Sequence, residues 1–241
     1  MRYYSLLVAF FMLAFSACNS TNSNASATTD ATTDAPAAMA AETAKAEPYP
    51  KSIEELDGRY PEAAKAYVAG GCFWCTEASF ERIQGVEAVW SGYTGGEEKN
   101  PTYEQVSNKQ TGHTEAIVIY YDPEVLDFNT LLEVFFVAHD PTQVNRQGPD
   151  VGPQYRSGIY PLNAEQRTAA EAKIKELNAS GKFSSPIATE VVDATEFYLA
   201  EEYHQDYYDA HPNQGYIANV SRPKVEKVMK TFADILKPEY R

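Results

Sequence analysis

The sequence is poor in cysteine, poor in basic charge and without a long apolar run. Three of its 241 residues are cysteine, and only Cys72 and Cys75 share a motif. There is no second CxxC and no HxxxH-type pair, and His113, His139, His204 and His211 are scattered. A tetrahedral zinc site needs four grouped ligands, so the pattern argues against a bound metal. Lys and Arg number 20 against 34 Asp and Glu, a formal net charge of −14. Nucleic-acid binding needs a basic face, so no nucleic-acid partner is expected. Rossmann and P-loop glycine patterns are absent, as are internal repeats, and no bound cofactor is expected.

The apolar run at residues 5–15 is too short to span a bilayer but suits the core of a secretory signal. It leads into Phe15-Ser16-Ala17-Cys18, which resembles the lipobox of bacterial lipoproteins, where the cysteine is diacylated and becomes the mature N-terminus. The alternative is an ordinary cleaved signal followed by an unrelated cysteine. Residues 1–17 are therefore expected to be a signal peptide, and Cys18 a lipidation site that anchors the chain to a membrane of the bacterial cell envelope. Residues 18–47 are rich in Ala, Thr, Ser, Asn and Asp without apolar periodicity, the composition of a flexible tether. Residues 48–241 are expected to form one domain, large enough to bury a core and monomeric.

Gly70-Gly71-Cys72-Phe73-Trp74-Cys75 stands between an apolar strand and a helix. Glycines permit a sharp turn there, and a cysteine opening a helix meets unpaired N–H groups and the positive dipole end, which favour a thiolate. Cys75 follows at i+3, about 5 Å away between Cα atoms in a helical turn, within disulfide range. Phe73 and Trp74 are suited to wall a pocket for a methyl or thioether group. A lone cysteine is more often a small hydrophobe, but the spacing favours redox or nucleophilic use.

Downstream, residues 86–90 read as a strand running into a turn-rich loop, and residues 114–121 as a central strand apolar on both faces. Residues 129–138 read as a helix, 142–153 as a long functional loop, 154–160 as a strand and 163–178 as a helix capped by Asn163. A strand over 187–192, a helix over 199–208 and an amphipathic helix over 222–236 complete the prediction. The expected class is α+β, an α/β two-layer sandwich of ferredoxin-like type, with a mixed sheet and helices packed on it.

Several blocks then carry a resemblance. Gly70 to Trp74, Gly92-Tyr93-Thr94-Gly95-Gly96, Asn100-Pro101-Thr102-Tyr103, Thr111-Gly112-His113-Thr114-Glu115-Ala116, His139-Asp140-Pro141-Thr142-Gln143 and Gln154-Tyr155-Arg156-Ser157 resemble, in order, the motifs of class A peptide methionine sulfoxide reductases. The resemblance implies an enzyme of protein repair that reduces methionine S-sulfoxide, free or in oxidised proteins. It implies Cys72 as the nucleophile on sulfur and Glu115 as the acid that protonates the sulfoxide oxygen. Tyr103 and Tyr155 would donate hydroxyls to that oxygen, Asp150 would contribute to substrate binding, and Phe73 and Trp74 would hold the S-methyl group. Cys72 would become a sulfenic acid. Many members resolve it with cysteines in a glycine-rich C-terminal tail; this tail has none, which leaves Cys75 as the resolving candidate in the domain. An external dithiol such as thioredoxin would then reduce the pair. Two other readings stand beside this one: a thioredoxin-like oxidoreductase built on the same CxxC, and a tethered lipoprotein that binds partners through its acidic face.

Overall fold

The computed structural model describes residues 48–241. The expected signal peptide, Cys18 and the tether lie outside the described residues.

The chain opens with α1 (Ile53–Arg59), capped by the Ser52 hydroxyl and burying Ile53 and Leu56. β1 (Ala64–Gly70), α2 (Phe73–Glu81), β2 (Val86–Thr94), α3 (Tyr103–Ser107), β3 (Thr114–Tyr121) and α4 (Phe128–Ala138) follow. A small hairpin of β4 (Arg146–Gln147) and β5 (Asp150–Val151) precedes β6 (Ser157–Tyr160), α5 (Ala164–Ser180), β7 (Glu190–Val191), β8 (Tyr198–Leu199), α6 (Tyr207–Ala210) and α7 (Arg222–Thr231).

One six-stranded sheet runs in the order β7-β6-β1-β3-β2-β8. Its pairs are antiparallel except β6 with β7. Strands β1, β2, β3 and β6, with α2 and α4 as their crossovers, form the βαββαβ unit of ferredoxin-like folds. The class is α+β, with a mixed sheet and helices packed on it.

β3 sits centrally because its sequence is apolar on both faces, and all eight of its residues are buried. Strand alternation divides the core in two. Ala66, Val68, Ile117 and Ile119 pack with Phe80 of α2, with Leu131, Leu132 and Phe135 of α4, and with Val228 of α7. Tyr67, Ala69, Ala116, Val118 and Tyr120 pack instead with Ile53, Leu56 and Phe197. Each large side chain so buried contributes about 1.5–3 kcal/mol. Asp127 and Asn163 cap α4 and α5 by accepting from the Thr130 and Gln166 N–H groups.

The structure differs from the sequence expectation in several elements. β2 does not give way to a loop after Trp90 but pairs with β3 as far as Thr94. Gly92 is there for close approach: a Cβ on it would lie 2.2 Å from the Phe197 ring and 2.3 Å from the Tyr198 carbonyl. The expected strands at 154–160 and 187–192 shorten to β6 and β7, and the long loop folds its middle into the β4–β5 hairpin. The expected helix at 199–208 is broken. Leu199 pairs with Gly92, a 3-10 turn spans Glu202–His204, and Asp206 adopts φ +53° before the single turn of α6. The last helix stops at Thr231. Among the described residues no helix is long and apolar enough to cross a membrane.

Candidate active site

Between β1 and α2 the chain turns at Gly71, at φ +94°, where a Cβ would come within 2.6 Å of the Gln147 side chain. Cys72 is thereby the N-cap of α2, and both it and Cys75 are unbridged and buried. The expected thiolate at Cys72 is not what this environment favours. The Phe73 N–H donates to Glu115 Oε2 at 3.1 Å, and the Cys75 N–H donates to the Cys72 carbonyl at 3.1 Å. Two donors of the helix start are thus spent on oxygen. Burial pushes the Cys72 thiol well above its ordinary value, its bond to Cys75 and the charges of Cys75 and Glu115 act the same way, and the nearby Tyr216 hydroxyl opposes. Cys75 goes the other way. The bond from Cys72 pulls it down to about 7 against burial, helped by Lys224 Nζ 4.0 Å away and Ser221 Oγ at 3.2 Å. The negative charge of the dithiol therefore rests on Cys75.

Glu115, near the start of β3, is 2 % exposed. Burial raises its carboxyl to about 8, with the Phe73 N–H opposing and the charges of Asp150 and Cys75 adding. At neutral pH it holds a proton beside Cys72, the state a general acid needs.

The other predicted residues gather around this centre. Thr102 caps α3 with a full capping box together with Gln105, which starts the helix at Tyr103. The Tyr103 hydroxyl is pushed up to about 12 by burial and then by the charges of Glu115 and Cys72. Tyr155, at the end of a 3-10 turn, is raised by burial and the same two groups, and also by Tyr103. Asp150 on β5 accepts from the Tyr216 hydroxyl at 2.6 Å. Phe73 is buried, and Trp74 is half-buried with its ring stacked on Tyr207, 3.9 Å between centroids and 11° between planes.

Several residues of this site have no counterpart in the sequence prediction. His204 packs its ring 4.3 Å from Tyr103 and 5.0 Å from Phe73, and its Nδ1 accepts from Trp74 Nε1 at 3.3 Å. Burial lowers it to about 4, so it is a neutral imidazole whose proton is on Nε2. Glu201 accepts from the Tyr103 N–H at 2.9 Å and the Tyr93 hydroxyl at 2.8 Å, tying two aromatic residues to one carboxylate. Tyr207, Tyr216, Ser221 and Lys224 complete the set. Histidine and tyrosine crowd residues 201–208, a density that marks the stretch even though its periodicity is uninformative. Among the described residues no group of His, Cys, Asp and Glu is arranged to hold a metal ion. A cavity of about 750 Å³ beside α1, lined by Ser52, Asp57, Lys65 and Phe197, contains neither cysteine.

Two adjacent thiols of unequal acidity beside a buried carboxylic acid are the parts that a thiol-dependent oxidoreductase uses. The sequence profile of the family described as peptide methionine sulfoxide reductase matches residues 64–236. Peptide methionine sulfoxide reductase MsrA 1 of Rhodopirellula baltica is 52 % identical over 190 residues, covering 79 % of this chain and 97 % of that protein. The enzyme of Haloquadratum walsbyi is also 52 % identical, over 71 % of this chain and 97 % of its own. Mxr1 from Saccharomyces cerevisiae in reduced form superposes with a TM-score of 0.58 at 38 % identity, over 65 % of this chain and 89 % of that one. The chain belongs to the peptide methionine sulfoxide reductase family, and is an oxidoreductase of that family.

Proposed function

We propose that this protein reduces methionine S-sulfoxide, free or within oxidised proteins, to methionine, and so repairs oxidised methionine. One observation carries the reading: the Glu115 carboxyl, kept protonated by burial, is fixed to the Phe73 N–H at 3.1 Å beside the Cys72 thiol. A sulfoxide oxygen is a poor leaving group until it takes a proton. Glu115 supplies that proton, with the Tyr103 and Tyr155 hydroxyls on the same oxygen, while Cys72 attacks sulfur. The Cys72 proton passes along its hydrogen bond to Cys75. As the bond between the two sulfurs breaks, the protonated oxygen passes to Cys72 sulfur; methionine departs and Cys72 is left as a sulfenic acid. Phe73 and Trp74 enclose the S-methyl group, and Asp150, held by Tyr216, faces the polar part of the substrate.

Cys75 then closes a disulfide with Cys72, and a thioredoxin-like dithiol reduces it. The mature chain is proposed to be a monomeric lipoprotein of the bacterial cell envelope, anchored through Cys18, with residues 18–47 as its tether. The apolar run at 5–15 and the small residues before Cys18 support this.

The test is a single turnover on methionine S- and R-sulfoxide, with free thiols counted afterwards. Reduction of the S epimer with loss of both Cys72 and Cys75 thiols is expected. Failure to reduce either epimer, with cleavage of insulin disulfides instead, overturns the reading. Membrane extraction and mass analysis of the mature N-terminus test the anchor; an unmodified Cys18 removes it.

A further inference from the structure

Cys75 stands in the first turn of α2, but the groups that set its chemistry come from the far end of the chain. Residues Ile217–Ser221 form a π-helical turn that leads directly into α7. Such turns displace a side chain relative to an α-helix and recur at functional sites. Here the turn brings the fully buried Ser221 Oγ to 3.2 Å from Cys75 Sγ. One turn further, Lys224 Nζ lies 4.0 Å from the same sulfur. Among the described residues Lys224 takes part in none of the ion pairs.

Charge around Cys75 is otherwise hostile to an anion. Cys72 faces it from the cap of α2, Glu115 from β3, Asp150 from β5 and Tyr216 from the segment before the π-turn. None of these carries positive charge. A sulfur only 2 % exposed would ordinarily be an inert thiol. Among the described residues Lys224 is the one cation within bonding reach of this sulfur.

We propose that Lys224 and Ser221 activate Cys75 as the resolving thiolate, the ammonium and hydroxyl together holding charge on its sulfur while it attacks the Cys72 sulfenic acid. This rests on the reading of Cys75 as the resolving cysteine. In the step, Cys75 gives up its proton and its sulfur bonds to Cys72 sulfur as the Cys72 S–O bond breaks. The oxygen leaves with a proton as water. One sulfenic acid and one thiol become one disulfide and one water, and no outside oxidant or reductant enters. The same pair adds to the unequal acidity of the two thiols, which begins with the hydrogen bond from Cys72 to Cys75 and the burial of Cys72.

The experiment is a rapid-mix single turnover over a range of pH, following methionine release and loss of the second thiol separately. Resolution is read in each trace as the rate of second-thiol loss after methionine has been released, so that a change in the first step does not enter it. In the unmodified protein, loss of the second thiol should rise with pH, to a midpoint set by the ionisation of Cys75 beside the sulfenic acid. Lys224→Met should move that midpoint upward and slow resolution about ten-fold at acidic pH, with the two proteins converging in alkali. Lys224→Arg should restore most of the acidic rate, and Ser221→Ala should shift the midpoint in the same direction by less. A Lys224→Met protein that resolves with the unmodified pH profile overturns the proposal. Loss of a single thiol in the unmodified protein is a different result: it removes Cys75 as resolver, and the activation of Cys75 falls with it.

Discussion

The site has two halves built by different means. Cys72, Phe73, Trp74, Cys75 and Glu115 stand on α2 and β3, where residues 75–80 and the whole of β3 are buried and the backbone is fixed by regular hydrogen bonding. Glu201, His204, Tyr207, Tyr216 and Ser221 come from a stretch of short turns, held by side chains instead. The Gln205 amide bonds both the N–H and the carbonyl of Ser91, Arg82 pairs with Asp209 at 2.6 Å, and Arg222 donates to the Pro212 carbonyl. The reacting groups are thus on elements that move only if the core moves, while the aromatic enclosure is on a segment that opens at lower cost. The methionine-releasing chemistry belongs to the first half; the second supplies fit and, through Ser221, a neighbour of Cys75. Variants in the two halves should therefore differ in kind as well as in size.

Glu115→Gln is the largest expected break. The amide still accepts the Phe73 N–H, so the fold should persist, but the acid is gone. Methionine release should fall by about 10²- to 10⁴-fold. In the unmodified protein release should decline as pH rises through about 8, because the acid form of Glu115 is lost there. That decline should be missing in the variant. Single-turnover release against pH measures both, and an unimpaired rate would show that the first half does not supply the proton.

Tyr207→Ala breaks the second half. It removes the ring stacked on Trp74, and a stacked pair is worth about 0.5–1.5 kcal/mol. KM should rise about 2- to 12-fold with kcat nearly unchanged. A loss of kcat comparable to that of Glu115→Gln would abolish the division between the halves.

The same division decides what the sequence discloses. β3, α4 and α5 are legible because alternation, a 3.6-residue stripe and the Asn163 cap are local signals. Cys72 is legible because a glycine pair, a cysteine and a helix start are contiguous. The enclosure is not, since Glu201 reaches Tyr103 and Tyr93, and Ser221 reaches Cys75, across about a hundred residues or more with no periodic pattern. One signal is present in the sequence but absent from the prediction: Thr102 and Gln105 have the spacing of a capping box, yet α3 falls in a predicted loop. The charge on Cys72 shows the reverse. A helix start predicts a thiolate only if its N–H groups are free, and Glu115, from a strand forty residues on, takes the first of them.

The smallest effect tests the seam between the halves. Glu77 and Glu81 on α2 are both raised, Glu77 well above its ordinary value by burial and by the charges of Glu81 and Asp206. Glu81 rises to about 8 through burial, a bond to Asp206 and the charges of Asp206 and Asp209, with Arg82 opposing. Asp206 and Asp209 belong to the irregular stretch, so ionising the glutamates sets the halves against each other. A carboxyl raised on folding contributes stability that is full below its unfolded value, 4.5 here, and is lost as pH rises through the folded value. The melting temperature should therefore fall between those limits as pH rises towards 8. Glu81→Gln should flatten the fall and raise the melting temperature at pH 8 by a few degrees. Calorimetry across the window checks it. A melting temperature that climbs with pH would mean that these carboxyls ionise freely in the folded protein, and that the seam stores no such repulsion. If it falls as expected, hydrogen exchange at pH 8 should quicken first in residues 201–210 and last in β3, because only the irregular half can yield without breaking the core.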